Sequence, residues 1–204
     1  MLIGVVGKSG AGKSTLIRKM HSFDNSVIHV DIDKVGHDIL SDEKIVRKIV
    51  EIVGDPTVVE NGVINRKKVG NIIFNDKKKY DEYYKYTEDI EYAIIDKIIE
   101  DNKDKKVVLD WILLDNTKYW GKLDYKILVK TNYEVRKSRV VIRDNINEKY
   151  FDLRENMKDD YNTSEMDYII DGNTTNDEMI KKILGELKWV KMVCLKVYII
   201  KQTW

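Results

Sequence analysis

The sequence has few of the features that would place it in several common protein classes. Its 204 residues include one cysteine, Cys194, which excludes an intrachain disulfide and a zinc site built from cysteines. No linker rich in proline, glycine and serine interrupts the chain, so we expect a single domain. The 36 basic residues nearly balance the 35 acidic ones, and the formal net charge of +1 gives no basic surface for nucleic acid.

Long apolar runs are also missing. None approaches the roughly 20 residues that a helix needs to span a bilayer. The amino terminus runs directly into a short apolar segment and has no basic region, apolar core or cleavage site of a secretory signal. We therefore expect a cytoplasmic protein, a monomer or a weak homo-oligomer, with no membrane or nucleic-acid partner.

A glycine-rich loop near the amino terminus is the most specific motif. In "GVVGKSGAGKSTLI", residues 4–17, an apolar run precedes G-x-x-x-x-G-K-[ST], and an amphipathic segment follows. Glycines let successive N–H groups face an anion, and the following helix adds partial positive charge. A turn without a ligand is the alternative, but eight matched positions between a strand and a helix favour phosphate. The expected ATP contacts are Gly7, Lys8, Ser9, Gly10, Ala11, Gly12, Lys13, Ser14 and Thr15.

Two side chains of this phosphate loop have predicted individual roles. Lys13 would reach the β- and γ-phosphates of ATP, and the Ser14 hydroxyl would ligate Mg²⁺.

Short apolar runs alternate with longer helical patterns along the chain. This alternation predicts an α/β fold of the P-loop kinase type, with a five-stranded parallel sheet, helices on both faces and the first strand in a central position. The expected strands are Leu2–Val6, Ser26–Val30, Val107–Trp111, Tyr125–Val129 and Tyr168–Ile170.

A long helical stretch, at about residues 42–102, separates the second and third expected strands. It contains "EKIVRKIVEIVG", "RKKVGNIIF" and a run from Asp76 to about Asn102. In that run, apolar residues recur every three or four positions and predict one apolar face: Tyr83, Tyr86, Ile90, Ile94 and Ile98. We expect its tyrosines to pack in the core and at its boundary, and the whole insertion to bind the phosphate acceptor.

A second charged helical region extends from Asn132 to about Lys158 and is rich in arginine: Arg136, Arg139, Arg143 and Arg154. Such charges commonly form a solvated helix face. A phosphoryl-transfer enzyme, however, needs cations near the transferring group and often supplies them from a mobile lid. Arg139 and Arg143 are four residues apart and share a face. We predict a lid at about residues 139–158 and assign these two arginines to catalysis.

Carboxylates follow two of the expected strands. Asp31 and Asp33 end the second strand, at the sheet edge where α/β proteins place ligands. Either could take a proton from an acceptor hydroxyl or hold Mg²⁺ through water, and either could cap a helix. We expect one to cap and one to be catalytic. Asp110 could reach Mg²⁺ through water or simply start a loop, whereas a lone histidine such as His37 is more often structural.

With these motifs, the chain resembles the dephospho-coenzyme A kinase family over about residues 1–187. The family's V-I-D-A-D-x-x-G/A-H pattern is similar to "VIHVDIDKVGH", and "ENGVINRKKVGNIIF", "VVLDWILLDN", "EVRKSRVVIRDNINEKYFDLRENM" and "MDYIIDGN" match further family segments. The resemblance implies transfer of phosphate from ATP, with Mg²⁺, to the ribose 3′-hydroxyl of dephospho-coenzyme A. It implies Asp33 as general base and Arg143 as a stabiliser of the transferring group. The expected acceptor contacts are Asp31, Asp33, Arg66 and Phe74.

The chain departs from the family pattern on the acceptor side. Thr87-Glu88 replaces a usual His-Pro pair, Ile112 and Asn116 replace Pro and Glu, and Lys158 replaces Gln. Two alternatives therefore stay open, a kinase of nucleosides or nucleoside monophosphates and a non-catalytic nucleotide sensor or interaction protein. A single domain is expected at residues 1–187. Residues 188–204 form an extension that could be an edge strand, more helix or a tail for self-association.

Overall fold

A computed structural model describes residues 1–156, 159–174 and 177–186, apart from the side chain of Arg154. Cys194, Lys158 and the expected extension at residues 188–204 lie outside the described residues. The described chain forms two compact units. One, the P-loop unit, comprises residues 1–29 and the chain from residue 104 onward. The other, the helical unit, is Val30–Lys103. The expected limits of the insertion and of the lid stay predictions.

The main sheet has five strands in the order β2-β5-β1-β6-β7. Strand β1 pairs in parallel with β5 and β6, and β6 pairs in parallel with β7. The predicted parallel sheet with the first strand in its centre is confirmed. The strands are β1 (Leu2–Val6), β2 (Val27–Asp31), β5 (Lys106–Asp110), β6 (Tyr125–Lys130) and β7 (Tyr168–Asp171). The third expected strand was too long at its carboxyl end, because β5 ends at Asp110 rather than Trp111.

The helices of the P-loop unit are α1 (Lys13–Phe23), α6 (Tyr133–Asp144), α7 (Glu148–Glu155) and α8 (residues 177–186). The arginine-rich region is therefore two helices. Asn132 begins α6, where its side chain accepts a hydrogen bond from the Glu134 N–H. Asn145 ends it in the left-handed conformation that asparagine tolerates.

Apolar side chains cover both faces of the sheet in the P-loop unit. On one face, Ile17 and Met20 of α1 and Ile183 of α8 join a buried cluster with the sheet residues. On the other face, Gly4 leaves space for Leu114 and Leu123, since a Cβ on Gly4 would lie 2.4 Å from Leu123 Cδ1. The α/β class and the predicted helices on both faces are confirmed.

The helical unit contains α2 (Ile32–Asp38), α3 (Glu43–Val53), α4 (Arg66–Ile73), α5 (Lys77–Asp101) and a two-stranded antiparallel sheet, β3 (Val59–Glu60) with β4 (Val63–Ile64). Side chains of Asp42, Asn65 and Asp76 cap the starts of α3, α4 and α5. Residues of α3, α4 and α5 share one buried apolar cluster.

The predicted apolar face of α5 is only partly correct. Tyr83 is buried as expected, but Ile94 is 36% exposed while the neighbouring Ile95 is fully buried. The buried positions Tyr83, Thr87 and Ile95 step by four and eight residues. A helix turns by 100° per residue, so a step of four or eight residues does not return to the same direction. The buried positions therefore shift gradually around α5 and do not form a single straight stripe.

No helix among the described residues is both long enough and apolar enough to span a membrane.

Candidate active site

The phosphate loop connects β1 to α1 and depends on glycine for its shape. Gly10 and Gly12 have φ angles of +78° and +104°, which disfavour residues with a Cβ. A Cβ on Gly10 would also lie 2.9 Å from both the Arg136 carbonyl oxygen and Val140 Cγ2. The loop is closed by a hydrogen bond from the Ala11 N–H to the Lys8 carbonyl, at 3.1 Å. The glycines therefore fix both the turn and its close approach to α6.

The amino terminus of α1 suits a phosphate group. No side chain caps this helix, and its first turn contains no acidic residue. Ser14 and Thr15 in that turn are exposed. Uncapped N–H groups and the helix dipole favour an anion there. The exposed Ser14 hydroxyl is the kind of oxygen ligand that Mg²⁺ takes beside a phosphate.

Lys13 lies beside a buried carboxylate. Its Nζ donates to the Gly7 carbonyl at 3.0 Å and lies 3.8 Å from Asp110 Oδ1. The other Asp110 oxygen, Oδ2, is 3.2 Å from His29 Nε2. Asp110 is 5% exposed at the end of β5. The two oxygens of Asp110 thus have different neighbours. Of the two residues expected to serve Mg²⁺, Ser14 follows Lys13 in α1 and Asp110 lies beside the Lys13 ammonium.

Arg139 and Arg143 both contact the phosphate loop. Arg139 Nη1 donates to the Gly10 carbonyl at 3.2 Å, and its Nη2 donates to Asn173 Oδ1 at 2.9 Å. Arg143 Nη2 lies 3.4 Å from Ser9 Oγ, and its guanidinium also pairs with Asp144. Both side chains are exposed. The predicted common face of these two arginines therefore lies against the loop.

A third arginine of α6 is buried behind the same loop. Arg136 is 6% exposed and makes two hydrogen bonds, at 2.8 and 2.6 Å, to the two carboxylate oxygens of Glu155. Glu155 also lies 3.2 Å from Lys8 Nζ, which pairs with Asp160 at 3.1 Å. The hydrogen bonds from Arg136 lower the pKa of Glu155 despite its partial burial, and Lys8 lowers it further.

A cavity of about 230 Å³ lies beside this ion cluster. Charged groups on its wall include Lys8, Arg136 and Asp160, and apolar surface comes from Ala11 and Tyr161. The hydroxyl of Tyr161 donates to the Ile112 carbonyl at 2.7 Å. Burial raises the pKa of Tyr161, so this hydroxyl stays a donor at neutral pH.

In the helical unit, the two predicted aspartates differ in role. Asp31 caps α2, because its Oδ1 accepts a hydrogen bond from the Lys34 N–H at 3.0 Å. Asp33 is exposed in the first turn of α2. The expectation that one of the pair caps a helix is thus met by Asp31. His37 lies in the last turn of α2, and its predicted structural role stays a prediction.

A second carboxylate, Glu91 of α5, lies in the environment of Asp33. Its carboxylate covers Gly36, where a Cβ would be 2.9 Å from Glu91 Oε1. Burial raises the pKa of Glu91; the positive charge of Arg66 lowers it, while the charges of Glu88 and Asp33 add to the increase. The charges of Arg66 and Asp33 thus act in opposite directions on the Glu91 carboxyl and its pKa.

Aromatic side chains are exposed at the carboxyl end of α4 and in the first turns of α5. Phe74, an expected acceptor contact, is 71% exposed. Its ring centroid is 6.0 Å from that of Tyr80, which is 4.4 Å from Tyr84. Burial raises the pKa of Tyr84, and the positive charge of Arg66 opposes that increase. The structure thus puts Phe74 on an exposed aromatic surface with Tyr80 and Tyr84. The predicted acceptor contact of Arg66 and the predicted meeting of Asp33 with Lys13 stay predictions.

No sequence pattern predicted a role for His29 or Glu155, and Arg136 was expected only as part of a charged helix. The spacing of Arg136, Arg139 and Arg143, three and four residues apart, was a usable signal for a common face. For His29 and Glu155, no local pattern indicated a partner.

Comparison with known proteins identifies the family. The model of the dephospho-CoA kinase family matches residues 1–178. A dephospho-CoA kinase from Aquifex aeolicus is 29% identical over 192 residues, 91% of this chain and 96% of that protein. One from Clostridium tetani is 32% identical over 184 residues, 86% of this chain and 80% of that protein.

Solved structures agree on the fold. A dephospho-CoA kinase from Campylobacter jejuni, 23% identical, has a TM-score of 0.54 over 91% of this chain and 96% of its own. The Thermus thermophilus protein TT1252, 20% identical, has a TM-score of 0.74 over 92% of this chain and 95% of its own. The resemblance noted from the sequence is therefore confirmed. With a family model matching residues 1–178 and the phosphate loop complete, this chain belongs to the dephospho-CoA kinase family.

Proposed function

We propose that this protein transfers the γ-phosphoryl group of ATP to the ribose 3′-hydroxyl of dephospho-coenzyme A, which gives coenzyme A and ADP. The observation that carries the proposal is the family match over residues 1–178. The phosphate loop supports ATP as the donor independently of that match, through its glycine geometry and the uncapped start of α1.

The donor side would act mainly by electrostatics. Backbone N–H groups of the loop and the Lys13 ammonium would hold the β- and γ-phosphate oxygens. Arg139 and Arg143 already contact the loop at Gly10 and Ser9, so a short side-chain movement would bring their charge to the γ-phosphate. They would neutralise charge on the transferring group.

The residues at the loop fit a magnesium ion that accompanies ATP. We assign the Ser14 hydroxyl as a direct ligand and the buried Asp110 carboxylate as an acceptor for metal-bound water. When bound, Mg²⁺ neutralises charge on the phosphates. His29 and Lys13 each lie next to a different oxygen of Asp110, which restricts rotation of the carboxylate.

Asp33 would serve as the general base. As the 3′-oxygen bonds to the γ-phosphorus, the bond to the bridging oxygen of ADP breaks and the hydroxyl proton passes to Asp33. Asp31, Arg66 and Phe74 would bind the acceptor. For Asp31 this role would use Oδ2, because Oδ1 caps α2.

The test is phosphate transfer from ATP by the purified protein. Dephospho-coenzyme A would be compared with a panel of nucleosides and nucleoside monophosphates, and the phosphorylated position would be identified by ³¹P NMR. We expect coenzyme A as the product, and selective thermal stabilisation by dephospho-coenzyme A, about 2.7 kcal/mol at a hundredfold excess over Kd. Active protein that phosphorylates a nucleoside and leaves dephospho-coenzyme A unchanged would contradict the proposed acceptor.

A further inference from the structure

The outer part of the phosphate loop, Lys8–Gly10, is held by a buried ion pair. Arg136 Nη1 lies 3.4 Å from the Ser9 carbonyl, and its Nε donates to the Thr131 carbonyl at 3.0 Å. The remaining hydrogen bonds go to Glu155. One buried guanidinium thus links the loop, the end of β6 and the last residue of α7.

Each of the three loop residues contacts one member of this pair. Lys8 pairs with Glu155, the Ser9 carbonyl faces the Arg136 guanidinium, and Gly10 packs against the Arg136 backbone. A bidentate arginine–carboxylate pair is rigid because its two parallel hydrogen bonds fix the planes of both groups. The pair therefore constrains the backbone of three consecutive loop residues.

Burial distinguishes Arg136 from the other two arginines of its face. Arg139 and Arg143 are exposed and make single contacts to the loop, so their guanidinium groups can turn towards a phosphate. Arg136 is 6% exposed, and its charge is matched by Glu155. If Arg136 left this site, the partly buried carboxylate of Glu155 would lose two hydrogen bonds and keep only its pair with Lys8, which is unfavourable. We therefore expect Arg136 to keep its position when ATP binds.

We propose that Arg136 and Glu155 are a positioning pair for ATP, which holds Lys8–Gly10 in the shape that presents its backbone to the phosphates. The pair does not touch the reacting atoms. It acts through the loop, so its loss weakens ATP binding and leaves acceptor binding unchanged. The inference rests on the proposed function only in taking ATP as the donor, and it holds for any acceptor.

The test measures ATP affinity by calorimetry without acceptor, and then the KM values for ATP and for dephospho-coenzyme A. In Arg136→Gln we expect ATP affinity to fall about tenfold, with a matching rise in the KM for ATP and an unchanged KM for the acceptor. Arg136→Lys should recover part of the affinity, since lysine keeps the charge but cannot form the bidentate pair. Glu155→Gln should resemble Arg136→Gln in a milder form.

Lys106→Gln is the matched control. Lys106 pairs with Asp24 at 2.9 Å, and both side chains are 12% exposed. Because Lys106 starts β5, it lies at the strand end opposite the phosphate loop. Its loss should lower the melting temperature and leave ATP affinity within twofold of the wild type.

The proposal is overturned if folded Arg136→Gln is less stable but binds ATP within twofold of the wild type, as a purely structural pair requires. If Arg136→Gln does not fold, the double variant Arg136→Gln/Glu155→Gln decides the question, because it removes both charges of the pair and leaves neither one unmatched. ATP affinity within twofold of the wild type in that variant would likewise overturn the proposal. Wild-type protein that binds ATP but does not phosphorylate dephospho-coenzyme A contradicts the proposed acceptor alone.

Discussion

The P-loop unit and the helical unit use charge in different ways. In the P-loop unit, buried groups such as Arg136, Glu155 and Asp110 converge around one loop. In the helical unit, ion pairs such as Lys77–Asp81 and Lys97–Asp101 lie on the surface, one helix turn apart. Pairs of that kind contribute little stability.

The expected acceptor contacts and the expected ATP contacts also differ in how much aromatic surface is exposed beside them. Phe74 and Tyr84 are 71% and 44% exposed, whereas the side chains that contact the phosphate loop include the charged groups of Arg136, Arg139 and Arg143. A transferring phosphoryl group needs charges that are already oriented, because reorienting them would cost free energy during the reaction. An organic acceptor can instead gain free energy by covering apolar rings. The difference fits the proposed roles, in which the loop already has the shape that binds ATP and the aromatic rings are left accessible to an organic acceptor.

The sharpest test of this division is Asp33→Asn, which changes the helical unit alone. We expect kcat to fall about a thousandfold, because general-base catalysis is lost, while ATP binds almost normally. Single-turnover transfer and ATP calorimetry would measure the two effects. Unchanged transfer would remove Asp33 from the mechanism, and Asp38→Asn, in the same helix, is the control.

Removing a charge next to the loop should have the next largest effect. Arg143→Gln should lower kcat about a hundredfold, a loss typical of one group that stabilises transition-state charge. Because its contact to Ser9 is at 3.4 Å, ATP affinity should change little. Steady-state kinetics with both substrates would show this. A loss of ATP affinity with kcat unchanged would instead indicate a ground-state role. Arg47→Gln, which removes an exposed arginine of α3 that pairs with Glu43, is the control.

The exposed aromatic surface predicts a smaller and complementary effect. Phe74→Ala should raise the KM for dephospho-coenzyme A about tenfold, because covering a ring is worth on the order of 1–2 kcal/mol. The KM for ATP and the melting temperature should stay near the wild-type values, since Phe74 is 71% exposed. A large loss of stability with no change in acceptor KM would assign Phe74 to the fold.

The smallest expected effect concerns acid stability of the P-loop unit. Burial alone would raise the pKa of Asp24, but hydrogen bonds from Ser26 and Lys106 lower it to about 2. A carboxylate with a lowered folded-state pKa stabilises above its unfolded pKa, and this stabilisation is lost as pH falls through the folded value. Allowing for solvent screening, we expect about 1 kcal/mol to disappear between roughly pH 4 and pH 2.

Urea unfolding at several pH values would measure this contribution. Asp24→Asn should be less stable than the wild type at pH 7, and the difference should shrink towards pH 2. Asp177→Asn, which removes the exposed pair with Lys19, should show no such convergence. Parallel curves for wild type and Asp24→Asn would contradict the assigned pKa.

Motifs that act locally could be predicted from the sequence, and those that depend on distant partners could not. The glycines at 10 and 12 and the cap at Asp31 follow from backbone preferences of neighbouring residues. Arg139 and Arg143 were expected on one face because helical spacing places them there. Ile94 was assigned to the buried face of α5, and the structure buries Ile95 instead. Which of two adjacent helix residues is buried depends on where the neighbouring elements lie. The periodicity of the sequence does not contain that information.

The sequence by itself determined the phosphate loop, the parallel sheet and the family. The loop is encoded in consecutive residues, and the sheet and the family follow from short local patterns that recur in order along the chain. Only the tertiary structure decided that Arg136 pairs with Glu155 behind that loop, and that His29 and Lys13 share Asp110. Those partners are 19 to 97 residues apart in sequence. Their pairing depends on which side chains folding buries together, since a buried charge requires a partner wherever along the chain that partner lies.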